Sequence, residues 1–169
     1  MIKLLQEFEA EELPKLLKSP VYTWENVQGL LIDYHPPRVE RLWFPWRTDY
    51  RVYLHRIHPV LPPHTPLYHN HPWPTAIKVV TGKCEHVAGF EGVEETSQVL
   101  LPGAYYEMVT PHEYHAVNPM DGPSLSLMIT GRPWASKASV GDVPQRELRE
   151  LTTRAGEGIR LEFAKIYGL

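Results

Sequence analysis

His69 and His71, one residue apart in "PLYHNHPWP", carry the plainest chemistry in the chain. In an extended segment residues i and i+2 project to the same face, so both imidazoles can point into one cavity while Asn70 points away. Imidazole nitrogens about 2 Å from a borderline metal ion would then take neighbouring coordination positions with little strain. A third ligand would come from a strand facing the first, and "TPHEYHAVNP" offers both His112 and His115. His115 lies in an alternating apolar segment with Val117 on its own face, whereas His112 follows Pro111 in a turn, so alternation favours His115. His35, His55, His58 and His86 read as structural histidines. Among the others, His64 is close enough in sequence to line the same site.

Two charged residues extend the reading. Arg56 alternates with Val52 and Leu54 along "YRVYLHRI", which points it into a barrel if those residues face inward. A buried guanidinium needs a carboxylate partner; left unpaired by the protein, Arg56 would clamp a substrate carboxylate. Glu107 shares a face with Tyr105 and Val109, where it could shuttle a proton, add a fourth metal ligand or pair with Arg56. Trp73, Tyr53, Tyr105 and Met128 are the expected pocket walls. Other chemistries find no support: there is no GxSxG, P-loop or GxGxxG, and Glu107 alone cannot form a glycosidase carboxylate pair.

The elements that must position these residues are short. Seventeen prolines and eleven glycines cut the chain into strands and turns. Residues 27–35, 50–60, 76–80, 84–90, 97–101, 105–109, 114–118 and 125–130 read as strands. "RLWFPWRTDY" reads as an aromatic connection packed over the core. Residues 2–18 are helical and break at Pro14. A second helix is expected over 142–156, with Asp142 as N-cap and Leu148 and Leu151 as its apolar stripe. The closing "GIRLEFAKIYGL" fits either a strand or a docked tail.

Length and charge set the frame. At 169 residues the chain suits one domain, with an N-terminal helical segment over 1–26 and a barrel over 27–134. A net charge of −3 with scattered basic residues gives no electrostatic reason to expect nucleic acid or an anionic membrane. No stretch has the length of a membrane span, and the N-terminus lacks a signal-peptide pattern. One cysteine, Cys84, excludes an internal disulfide and suits a reducing cytoplasm. A homodimer is expected, with "VQGLLIDY" pairing across a two-fold axis.

The two histidine segments resemble the two motifs of the cupin superfamily. His69, His71 and Gly82 match the first, and Pro102, Gly103, His115 and Asn118 match the second. Where that motif commonly has a glutamate ligand, this chain has Thr75 and Ala76. A narrower resemblance, over residues 50–134, is to bacterial and phage cupins with an HxHPW box; "HNHPW", "HAV" and "TGRPW" carry it. The resemblance implies an all-β double-stranded β-helix (jelly-roll) barrel with short terminal helices. It also implies a divalent ion on His69, His71 and His115: Fe(II) first, with Ni, Zn or Mn as alternatives. Three neutral imidazoles would leave the ion its full charge and open positions for a small polar or anionic substrate and O₂. The implied activity is that of a non-haem Fe(II) dioxygenase, similar to the three-histidine thiol and diketone dioxygenases. The alternatives are a metal-dependent isomerase or epimerase, and a non-catalytic sensor with a structural metal. Cys84 lies too far beyond His71 to match the crosslinked cysteine of mammalian cysteine dioxygenase.

Overall fold

The computed structural model describes residues 1–91, 95–134 and 149–169. Two antiparallel sheets form its body. The elements run α1 (Ile2–Glu11), α2 (Leu13–Leu17), β1 (Gln28–Ile32), β2 (Val39–Trp46), β3 (Tyr50–Ile57), β4 (His69–Asn70), β5 (Thr75–Thr81), β6 (Cys84–Phe90), β7 (Thr96–Leu100), β8 (Tyr105–Met108), β9 (Glu113–Pro119), β10 (Ser124–Thr130), β11 (Arg149–Glu150) and α3 (Thr153–Ile166). The larger sheet has the order β11-β1-β2-β3-β10-β5-β8, and the smaller β4-β9-β6-β7.

The larger sheet has two different faces, and this division positions the site. On one face Leu42, Phe44, Val52, Leu54, Leu125, Leu127 and Ile129 pack against Leu5 and Phe8 of α1, Leu13 and Leu17 of α2, and Ile159 and Phe163 of α3. The helices bind here because each presents apolar residues at three- or four-residue intervals. On the other face Tyr53, Ile77 and Met128 form a separate cluster with Trp43 and Tyr106, turned toward the smaller sheet. Their register (Trp43 opposite Tyr53, Tyr53 opposite Met128, Met128 opposite Ile77, Ile77 opposite Tyr106) makes one row across five strands.

Two turns explain motif glycines. Gly82, between β5 and β6, has φ +79°, and a Cβ there would lie 2.9 Å from that of Ser124. Gly103 has φ +90° in the turn before β8. Both conformations are ones that L-residues rarely adopt.

Three expectations need correction. "RLWFPWRTDY" is mostly strand β2, because Leu42 and Phe44 bury against the helices while Arg41 and Trp43 face the other way. The C-terminal helix begins at Thr153, capped by the Thr152 hydroxyl, which accepts from Ala155 N at 3.2 Å. It contains most of "GIRLEFAKIYGL", with Ile159 and Phe163 inward, while Arg149–Glu150 is strand β11. Asp142 and residues 143–148 of the expected helix lie outside the described residues. Finally, β11 pairs with β1 at Leu30 and Leu31, covering part of the edge expected to meet a second copy. Among the described residues no helix is long and apolar enough to cross a membrane.

Candidate metal centre

β4 and β9 place His69 directly opposite His115, and His71 follows one residue beyond β4. The three rings converge, with centroids 5.3 Å (His69–His71), 4.8 Å (His69–His115) and 4.9 Å (His71–His115) apart. One ring nitrogen from each lies within 4.8 Å of the others, and among the described residues these three form the group able to hold a metal. His112, the other third-ligand candidate, is exposed and faces Glu91 at 3.3 Å. His64 is exposed.

The hydrogen bonds of the other ring nitrogens decide what the cluster can do. His69 Nδ1 faces the Leu67 carbonyl at 3.1 Å, so it must donate, leaving Nε2 with a free lone pair. His71 Nδ1 lies 2.8 Å from Thr75 Oγ1, whose hydrogen goes to the Trp73 carbonyl oxygen at 3.1 Å. The hydroxyl therefore accepts from His71, whose Nε2 is also unprotonated. Thr75, standing where a glutamate ligand is common in cupins, instead fixes the tautomer of a ligand. His71 Nε2 lies 3.1 Å from His115 Nε2. Two bonds of about 2.0–2.1 Å to one ion put nitrogens about 2.9–3.4 Å apart, from octahedral to tetrahedral angles, so the spacing fits a shared ion.

His115 is oriented by a residue not expected at the site. His86 lies on β6, two residues before Ala88, which is opposite His115. It thus occupies the diagonal position on the same face. Its Nε2 is 3.4 Å from His115 Nδ1, and its Nδ1 is 3.4 Å from the Gln98 side-chain amide on β7. With Gln98 donating to His86, and His86 to His115, the remaining proton of His115 joins it to His71. With the amide turned over, both histidines donate from Nδ1 and His115 Nε2 is free for an ion. Tyr106 packs on this pair, its centroid 4.3 Å from His86 and 5.8 Å from His115.

Electrostatics keep the cluster neutral. Burial, then the neighbouring His69, His55 and Arg41, hold His71 well below the ordinary histidine range. Burial and the other histidines do the same for His115. Burial lowers His86 to about 4 and, with the charge of Arg41, His55 to about 3. Neutral imidazoles are the form that binds a metal.

Arg56 and Glu107 are not brought to the histidines. Arg56 does share a face with Val52 and Leu54, but that is the helix-covered face. It pairs with Glu40 at 2.5 Å and with Glu162 of α3 at 2.7 Å. Glu107 contacts the N-terminal amine at 3.1 Å and accepts from Ile2 N at 3.1 Å, at the start of α1. Tyr105 is on this face as well, donating to Glu9 at 2.6 Å. Glu113 accepts from Thr110 N at 2.8 Å and also from Val109 N, so it is engaged in its own turn. Tyr53 and Met128 lie on the inner face as expected. Trp134 of "TGRPW" donates from Nε1 to the His71 carbonyl at 3.3 Å, tying that end of the barrel to the histidine segment.

No protein-family model matches this sequence, and no curated protein matches it. Solved structures do. Hydroxypropylphosphonic acid epoxidase from S. wedmorenis in complex with fosfomycin aligns with TM-score 0.51 at 13% identity, over 67% of this chain and 57% of that one. A second structure of the enzyme gives 0.50 at 14%, over 61% and 55%. KdgF from Halomonas sp. gives 0.45 at 18%, over 62% and 88%. The chain thus spans about half the length of the epoxidase it matches. At these identities the likeness is one of fold.

Proposed function

We propose that this chain, which has the cupin fold, is a mononuclear metal-dependent enzyme acting on a small polar or anionic molecule. His69, His71 and His115 would hold a divalent ion through Nε2. The observation that carries this is the hydrogen bonding of His69 and His71, which turns both Nε2 lone pairs into the space where His115 converges. Fosfomycin in the similar epoxidase structure is a precedent for a small ligand in such a barrel.

Within that class we favour Fe(II)-dependent dioxygenase chemistry over isomerisation. When bound, the ion would supply Lewis acidity and, as Fe(II), electrons for dioxygen. An isomerase or epimerase also needs a group that takes and returns a proton near neutral pH. The inner face offers none well matched: burial, reinforced by Cys84, pushes the Tyr106 phenol far up, and His55 and His86 are held at about 3 and 4. The chain's own residues contribute orientation and exclusion of water: Thr75 and His86 fix ligand rings, while Tyr53, Ile77 and Met128 wall the space.

The test is metal analysis of the purified protein, followed by oxygen uptake with the iron-loaded form across small carboxylic acids, thiols and diketones. Stoichiometric metal lost in a His69→Ala/His71→Ala variant is expected. Metal retained by that variant would end the assignment. Substrate turnover without oxygen consumption would move the protein to the isomerase class.

A further inference from the structure

Glu40 and Arg41 are sequence neighbours on β2 with opposite fates. Glu40 points to the helix-covered face and meets Arg38 at 2.6 Å and Arg56 at 2.5 Å. Arg41 points to the inner face. It pairs in register with His55, and its guanidinium carbon lies 5.5 Å from the Tyr53 ring centroid. Its charge reaches far enough to depress His55 and His71. Yet it has no hydrogen bond or ion pair among the described residues, and its Nε is buried with no partner.

An unpaired buried guanidinium is costly, and proteins retain one rarely without an anion to meet it. The Tyr53 face compensates only in part, at roughly 1 kcal/mol for such a contact. Glu40 cannot help, being committed on the far side of the sheet. Arg51, next along the inner face over Trp43 and Trp73, is exposed and has water instead. The groups around Arg41 are phenols and imidazoles: Tyr34, Tyr53, His55 and His71. A divalent ion on the histidines would add two more positive charges to a space already holding one.

We propose that Arg41 is the anion-binding residue of this site: its planar fork receives the carboxylate or phosphoryl oxygens of a small substrate lying against the three histidines. This deepens the metal-enzyme reading and rests on it for the substrate's placement. Arginine suits the task because its paired N–H groups match two oxygens of such an anion. It takes the role that alternation assigned to Arg56, from the opposite face of the same sheet.

The experiment uses cobalt(II)-loaded protein, whose visible spectrum reports ligand binding, titrated with glycolate and separately with inorganic phosphate. Wild type should saturate with at least one of them. Arg41→Gln should weaken that binding about tenfold or more, the loss expected for one charge-assisted contact, with cobalt content unchanged. Arg41→Lys should fall between. Binding of glycolate alone assigns a carboxylate substrate, and of phosphate alone a phosphoryl one. Calorimetry on metal-free protein separates the two ideas. If no cobalt is retained but the anion still binds and Arg41→Gln abolishes it, the anion site stands and the metal reading falls. Equal anion affinity in wild type and Arg41→Gln, or no anion binding to wild type in either form, overturns the proposal. Arg41→Met supplies a second readout: losing an unpaired cation should raise the Tm of the metal-free protein. A lower Tm with unchanged anion affinity would make Arg41 a packing residue and overturn the assignment.

Discussion

An imidazole ligand is useful to a metal when its second nitrogen is held, and the three histidines are held in three different ways. His69 uses a carbonyl, His71 a threonine hydroxyl, and His115 another histidine. Partners of this kind commonly set metal affinity by 10–100-fold. His86→Ala should therefore weaken divalent-metal affinity about tenfold, measured by competition with a chromophoric chelator, and His86→Gln should recover part of the loss. Thr75→Val should weaken it similarly while leaving the fold intact, since valine matches threonine in shape. Unchanged affinity in both variants would show the rings to be oriented by packing alone. The ligands themselves could be read from sequence, because an HxH pair and a later strand histidine bring their chemistry with them. The residues behind them could not. His86 shows as a lone strand histidine until the register sets it diagonal to His115. Arg41 was hidden because a proline, two tryptophans and a phenylalanine made β2 look like a connection, although Leu42/Phe44 against Arg41/Trp43 is an alternating pattern.

Alternation along a strand tells which residues share a face, but not which face the helices will cover. Arg56 and Glu107 were grouped correctly with their neighbours and then assigned to the wrong side for that reason. Their positions give them a different task, fastening helices to the sheet. Arg56 joins Glu40 on β2 to Glu162 on α3, with Arg56 and Glu40 both largely buried. Burial raises the Glu40 pKa, but the Arg56 hydrogen bond and charge outweigh it and leave the carboxyl below its usual range. Arg56→Met should cost about 3 kcal/mol by stranding Glu40, and adding Glu40→Leu should recover much of it. Denaturant unfolding measures both. Glu107→Gln should cost only about 0.5 kcal/mol, because its contact with the start of α1 is partly solvated. Neither change should alter metal affinity. A loss of metal in Arg56→Met without loss of stability would return that residue to the site. The strands from β5 to β10 could be read in advance because glycine and proline turns bound them. The last helix was expected too early because Pro144 and Asp142 imitate a start, whereas the cap that forms is Thr152.

Neutral histidines gathered between two sheets link the stability of the whole molecule to protons and to metal. Ordinary histidine takes a proton near 6.5, but in the folded chain His86 does so at about 4 and His55 at about 3. Below pH 6.5 the unfolded chain therefore binds protons that the native state refuses. Stability is full above that value and falls as the pH drops toward 4 and then 3. The Tm of metal-free protein should decline steeply across this window, and a His55→Leu variant should flatten the slope. A slope unchanged by that substitution would place the acid sensitivity elsewhere. Metal acts in the opposite direction, because the three Nε2 atoms converge only when β4 and β9 are paired. An ion that binds the native state alone stabilises it by about 2.7 kcal/mol at a hundred times its Kd. For a domain of this size that corresponds to a rise in Tm of roughly 5–10 °C. Calorimetry at pH 7.5 with Fe(II), Ni(II), Zn(II) and Mn(II) should show the rise for the imidazole-preferring ions and little for Mg(II) or Ca(II). His69→Ala/His71→Ala should remove it. A Tm indifferent to all of these ions would leave the three histidines as a hydrogen-bonded cluster, with the His115–His71 contact a proton shared between rings.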